Sequence, residues 1–225
     1  MERISIIVPA LNEAAVIAFA LAPWTDQYEV ELIVVDGGSI DATPMIARAF
    51  ARVLMGPRGR ARQMNAGAAA ATGEILVFLH ADTRLPRSAV DSIRATLSDP
   101  QTIGGAFRLA IDSHRWLLRM VAAIANLRCR WFGLPYGDQA LFFRRSVFER
   151  LGGFPDLPLM EDVALVRAAR RLGRLALLRD SVQTSARRWR RDGVLFVSLR
   201  NQLFLGLFLL GVSPVRLARW YRDIR

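Results

Sequence analysis

The chain is 225 residues long and 52% hydrophobic, with one cysteine and a formal net charge of +11 supplied by arginine alone, since no lysine occurs. The length suits one domain, or one domain with an appendage, and is enough to bury a substantial core. The lone Cys129 excludes an internal disulfide or a cysteine-built zinc site and fits a reducing compartment, and a mean hydropathy of +0.23 falls well short of a multi-span membrane protein.

In chain order, residues 4–8 form a short β-branched run, and residues 31–35 and 75–79 repeat its character. Each is too short for a helix and ends at a proline, an aspartate or the His80-Ala81-Asp82 cluster, the pattern of buried parallel strands. Asn12 and Glu13 closely follow the first run with no small-residue cleavage site, so it does not read as a signal peptide. Helices are predicted over residues 13–21, over 42–51 with Asp41 as N-cap, and over 60–71 ended by Thr72 and Gly73. Residues 52–55 add a strand. Residues 104–111 and 140–143 read as strands, 115–130 as an amphipathic helix packing on the sheet, and 161–172 as a helix. Such alternation predicts an α/β fold, a mostly parallel open sheet flanked by helices, with ligands at the carboxyl ends of its strands.

The charge is unevenly placed. Residues 1–112 hold ten arginines against twelve acids, and residues 113–225 hold twenty-one against eight. The second half therefore expects an anionic partner: nucleic acid, anionic lipid or a phosphorylated substrate. A C-terminal amphipathic helical tail begins near Gly193. Residues 194–212 are apolar apart from Ser198 and Arg200-Asn201-Gln202, and a basic segment, 215–225, follows Pro214.

Four polar clusters carry the chemistry. They are Val8-Pro9-Ala10-Leu11-Asn12-Glu13, the acidic glycine-rich turn from Val35 and Asp36 to Asp41 and Thr43, the strand end His80-Ala81-Asp82, and Glu161-Asp162 opening a helix after Gly152-Gly153-Phe154. With Asn65-Ala66-Gly67 between the second and third, this ordered set resembles the family 2 glycosyltransferases over residues 3–175. The resemblance implies a GT-A fold whose single domain has a nucleotide-sugar-binding half, residues 1–112, and an acceptor-side half, 113–192. The tail, 193–225, is expected to associate with membrane or to oligomerise.

By the same resemblance the chain is a hexosyltransferase-like enzyme moving a sugar from a UDP- or GDP-linked donor to a lipid or membrane-associated acceptor by inverting displacement. The donor would be held by Pro9, Asn12, Glu13, Asp36, Arg62, Asn65, Ala81 and Asp82, with Asp36 accepting a hydrogen bond from the base. Asp82 matches the metal-binding Asp of the family's D-x-D motif and would hold Mn²⁺ or Mg²⁺ under the diphosphate. The first Asp of that motif is replaced by His80, whose imidazole can ligate Mn²⁺ or hydrogen-bond the ribose. Asp162 matches the general base that deprotonates the acceptor hydroxyl. Asp138, Gln139, Glu161, Arg187, Arg188 and Trp189 are assigned to the acceptor or diphosphate side. The run from Ser185 to Trp189 resembles the Gln-x-x-Arg-Trp motif of processive synthases, but its spacing differs and no polymerising activity is inferred.

Arg200 in the middle of a spanning helix would cost about 2.5–3.5 kcal/mol, so the tail is expected to lie in a membrane interface with its arginines reaching headgroups. Arg216, Arg219 and Arg222 would form a basic edge beside Leu217, Trp220 and Ile224. This predicts a cytoplasmic protein, peripheral on the cytoplasmic face of the inner or plasma membrane. The competing expectation packs the tail on its own domain or on a second subunit of a homo-oligomer. The runner-up activities are nucleotidyl transfer, against which the first strand lacks a glycine- and lysine-rich phosphate loop, and nucleic-acid binding. No aromatic stacking surface or family motif accompanies the arginines, so nucleic acid is not expected as a partner.

Overall fold

A computed structural model of the chain describes residues 2–221. Its strands are β1 Ile4–Ala10, β2 Val30–Asp36, β3 Arg52–Met55, β4 Ile75–Phe78, β5 Thr83–Arg84, β6 Thr102–Asp112, β7 Leu141–Arg144 and β8 Arg174–Ser185. Its helices are α1 Ile17–Leu21, α2 Thr43–Ala47, α3 Arg60–Ala70, α4 Ala89–Leu97, α5 Trp116–Phe132, α6 Arg145–Arg150, α7 Glu161–Ala169, α8 Arg187–Asp192, α9 Val194–Leu209 and α10 Pro214–Trp220.

One sheet runs through the molecule in the order β3-β2-β1-β4-β7-β6-β8-β5. The first four strands in that order are mutually parallel, and β7 then enters antiparallel to both β4 and β6. Pleating divides the core in two. Ile4, Ile6, Val8 and Ala10 join Ile17 and Leu21 of α1, Ile93 of α4 and Leu118 of α5 on one face. Ile7, Ile33 and Val35 join Met64 of α3 with Phe148, Phe154 and Val166 on the other. Helices therefore cover both faces, which is why the parallel strands read as unbroken apolar runs. Because β1, β2 and β4 run the same way, Ala10, Asp36 and the residues after Phe78 emerge at one edge.

Several boundaries differ from the sequence reading. α1 starts at Ile17 and not near residue 13, because Asn12 turns the chain with a left-handed φ of 54° and the Glu13 amide donates to Thr43 Oγ1 at 2.7 Å. Asp41 stands one residue before the N-cap Ala42, yet its carboxylate still accepts the Thr43 amide at 2.9 Å. α4, α6 and β8 had no counterpart in the pattern. β8 is mostly half-buried, carries Arg174 and Arg179, and is bulged against β6, so its alternation is broken.

The tail is not detached from the domain. Val197 of α9 is fully buried in the main core, and Phe204, Leu217 and Tyr221 pack with Leu159 and Met160. Arg200 does not reach outward: its guanidinium lies 4.2 Å from the Tyr221 ring centre and donates to the Tyr221 hydroxyl at 3.1 Å. Arg216, Arg219 and Trp220 are exposed, while Arg222 and Ile224 lie outside the described residues.

Gly67 lets α3 sit directly on β1 and β2: a β-carbon there would strike Ile7 Cγ2 and come within 3.1 Å of Val35 Cγ2. Gly206, inside α9, has open space at the same position. Gly67→Ala should therefore destabilise the fold by about 1–3 kcal/mol through overpacking, and Gly206→Ala should stabilise it by about 1 kcal/mol through helix propensity. Urea unfolding of both variants checks the opposite signs.

Candidate active site

The strand ends open into a cleft. Its larger part, a cavity of about 480 Å³, is walled by Pro9, Ala10 and Glu13 from β1 and its exit, and by Arg58, Arg60 and Arg62 at the start of α3. His80, Ala81, the loop residues Asp156–Leu159 and Glu161 complete it. An adjoining cavity of about 130 Å³ is lined by Asp82, Tyr136, Asp138, Asp162, Thr184, Ser185, Trp189, Asn201 and Phe204. Arg60, His80, Leu159, Arg188 and Tyr221 border both, so the two cavities are one cleft with a shared waist.

The waist is an ionic cluster. Arg60 Nε is hydrogen-bonded to the buried carboxylate of Glu161. Burial would lower the pKa of Arg60, but Glu161 and Asp162, with Asp138 beyond, raise it further. Burial raises the pKa of Glu161, opposed by Arg60 and reinforced by Asp162. Asp162 Oδ2 accepts the Gly137 amide at 2.6 Å and Oδ1 accepts the Val163 amide at 2.8 Å, fixing the carboxylate's direction. The helix bearing both acids starts from Met160 with φ 66°, an αL conformation that a non-glycine residue rarely adopts. Burial pushes the Asp138 carboxyl up to about 6, with Arg128 opposing and Asp162 adding. Asp138 Oδ1 and the Tyr136 hydroxyl are buried without a hydrogen-bond partner among the described residues. Arg128 lies 3.5 Å from the Tyr136 ring centre.

Sequence-predicted residues thus divide. Pro9, Glu13, Arg62, His80, Ala81, Asp82, Asp138, Glu161, Asp162, Arg188 and Trp189 all line the cleft. Arg62 there forms a two-pronged ion pair with Asp156, Nε and Nη2 each at 2.8 Å from a carboxylate oxygen. Asn12, Asp36, Asn65, Gln139 and Arg187 do not appear in its wall. Asp36 accepts the Gly38 and Ser39 amides at 3.0 and 2.9 Å and the Ser39 hydroxyl, and Asn12 accepts the Ile40 amide at 2.9 Å, so both shape the turn after β2. Asn65 clamps Phe154 by exchanging two hydrogen bonds with its backbone, at 2.8 and 2.9 Å. Gln139 bonds Phe107 and Tyr136, and Arg187 pairs with Glu13 at 2.6 Å. The sequence offers the basic segment from Arg58 to Arg62, Arg60 within it, as cationic contact to the donor, and all three of its arginines stand in the cleft wall; Tyr221, from the far end of the chain, was not singled out.

The residues present suit a metal ion only in company. Among the described residues no three His, Cys, Asp or Glu side chains gather to hold one. His80, Asp82 and the orphaned Asp138 oxygen nonetheless share one cavity wall. That partial oxygen- and nitrogen-donor set fits an ion whose coordination a diphosphate completes.

Residues 5–152 match the family model described as glycosyl transferase family 2. The chain is 28% identical over 201 residues to the probable glycosyltransferase YdaM of Bacillus subtilis (strain 168), covering 77% of this chain and 48% of that protein. It is 32% identical over 165 residues to a PGL/p-HBAD biosynthesis glycosyltransferase of Mycobacterium bovis (strain BCG / Pasteur 1173P2), covering 67% and 62% respectively. The chain therefore spans about half the length of the first relative and under two thirds of the second. The mannosyltransferase PcManGT of Pyrobaculum calidifontis, solved with GDP-Man and Mn²⁺, superposes with a TM-score of 0.64 at 27% identity, over 81% of this chain and 56% of that one. The fold is the GT-A type that the sequence led us to expect.

A carboxyl whose folded pKa is raised from 3.8 to about 6 favours folding while protonated. That advantage is lost as pH rises through the folded value. The stability gained by Asp138→Asn over the parent chain should therefore grow between about pH 4 and about pH 6. Urea unfolding across that range checks it, and a gain independent of pH would contradict the burial of this group.

Proposed function

The chain belongs to glycosyl transferase family 2, and from that premise we propose that it moves a sugar from a nucleotide diphosphate donor to a lipid or membrane-associated acceptor. The observation that carries the reading is the two-part cleft at the strand ends, with Asp82 and Asp162 facing one cavity and Arg60 and Arg188 bordering both. The larger cavity suits a nucleoside, and the guanidiniums at the waist suit a diphosphate. The smaller cavity would then receive the acceptor hydroxyl.

Asp162 takes the proton of that hydroxyl. The oxygen attacks the anomeric carbon as the bond from that carbon to the diphosphate breaks, and the bonding electron pair leaves with the diphosphate. This is a single in-line displacement that inverts the anomeric centre. The Gly137 amide holds Asp162 in its direction, and Glu161 holds Arg60 at the waist, where it stabilises the departing charge. A divalent ion, Mn²⁺ or Mg²⁺, would be held by Asp82 with His80 or Asp138 and would supply further neutralisation of that charge. A Mn²⁺-bound mannosyltransferase with this fold supports the choice of ion. The basic, Trp220-bearing edge of α10 supports a resting place on the anionic cytoplasmic face of a membrane. Among the described residues no helix is long and apolar enough to cross one.

Two variants separate the roles. Asp82→Asn should abolish the Mn²⁺-dependent part of UDP or GDP binding in calorimetry, and undiminished affinity in the variant and in EDTA would contradict the metal assignment. Asp162→Asn should leave donor affinity within a few-fold while turnover falls by roughly 10²–10⁴. Loss of donor binding together with activity would make Asp162 a donor-site residue.

A further inference from the structure

The sequence pattern of α5 reads as a helix packing on the sheet, and its inner face does so through Leu118 and Ala122. Its outer face is more apolar than a sheet-packing helix needs. Trp116, Met120, Ile124, Leu127 and Trp131 recur at steps of four, four, three and four, and each is 43–70% exposed. One stripe of the helix is therefore hydrophobic and uncovered, with a tryptophan near either end roughly 22 Å apart along the axis. α9 packs beside α5 and buries Val197 in the same core cluster. Its outer residues Leu195, Leu199 and Leu203 are 59–68% exposed. Both helices turn their inner faces to one core, so their apolar outer faces point away from it together.

Charge discriminates between the occupants that would suit this surface. No aspartate or glutamate occurs in α5, α9 or α10. Arg119, Arg130, Arg216 and Arg219 are exposed on them. A second copy of the chain would bring the same arginines against these with no acid on either helix to pair them. An anionic bilayer offers apolar depth to the stripe, headgroup-level seats to the tryptophans and phosphates to the arginines.

We propose that α5 and α9 form a single docking face for an anionic lipid surface, of which α5 carries a necessary share. The inner side of α9 bears Asn201 and Phe204 on the wall of the smaller cavity. Docking through its outer side brings that cavity to the headgroup level, where a lipid-linked hydroxyl would be found. This last clause rests on the glycosyl-transfer reading; the docking face does not.

Sedimentation of the full chain with phosphatidylcholine vesicles, with and without phosphatidylglycerol, tests it. The exposed pairs Ile124→Glu/Leu127→Glu on α5 and Leu199→Glu/Leu203→Glu on α9 are compared with the parent chain, with nucleotide binding measured in parallel. The parent should bind the anionic vesicles preferentially. Each pair should lower binding at least about tenfold while nucleotide affinity is unchanged. Parental vesicle binding by the α5 pair overturns the proposal and leaves the C-terminal helices as the sole anchor. It is equally overturned if the parent ignores vesicles and scatters light as a dimer that the α5 pair dissociates. Absence of nucleotide binding in the parent would instead overturn the glycosyl-transfer reading, whatever the vesicles show.

Discussion

Three carboxylates gathered around one guanidinium form the constraint on which the cleft depends. Asp138, Glu161 and Asp162 come from a turn before β7 and the first residues of α7, and Arg60 comes from the start of α3. Carboxylates this close repel one another and resist burial. Arg60 supplies the opposing charge, and the Gly137 and Val163 amides supply hydrogen bonds to Asp162. The cluster therefore fixes the distance between α3 and α7, on which the width of the cleft depends. Two further devices hold that distance: Gly67 seats α3 on the sheet, and Asn65 clamps Phe154 at the head of the loop that leads into α7. The αL turn at Met160 then aims Glu161 and Asp162 inward, a local strain of the kind found where function demands it.

The parallel half of the sheet was legible because burial on both faces leaves a plain signature of short apolar runs. The polar residues that follow such runs necessarily collect at one edge, and for Asp82, Ala81, Pro9 and Glu13 that inference places them on the cleft wall. Glu161 and Asp162 were legible through the resemblance, since nothing in spacing alone brings residue 162 to residue 82. Asp36, Asn12 and Asn65 show the other side of motif reading. They belong to the same signature, yet their polar atoms are engaged in shaping a turn and a clamp.

What stayed hidden was long-range. β8 has no clean alternation because it is bulged and half-buried, so no periodicity announces it. Tyr221 reaches the waist of the cleft only because Arg200 stacks on it and Phe204 packs against it. An apolar helix with an arginine in its middle reads as an interfacial segment. The structure turns that arginine onto Tyr221 and makes the helix a wall of the smaller cavity. Apolar pattern tells that a face wants cover but not which neighbour provides it. That is also why α5, read from its inner face alone, concealed an equally apolar outer one.

The central claim is that the cleft is built for a nucleoside diphosphate and its sugar. The most direct measurement is a thermal-shift titration of the full chain with each nucleoside diphosphate in Mn²⁺ and in EDTA. A ligand at free concentration c that binds only the folded state stabilises it by RT ln(1 + c/Kd), about 2.7 kcal/mol at one hundred times its dissociation constant, and so raises its melting point. The account predicts a clear upward shift with one nucleoside diphosphate, UDP or GDP, that depends on Mn²⁺. No shift with any nucleoside diphosphate, with or without the ion, would contradict it.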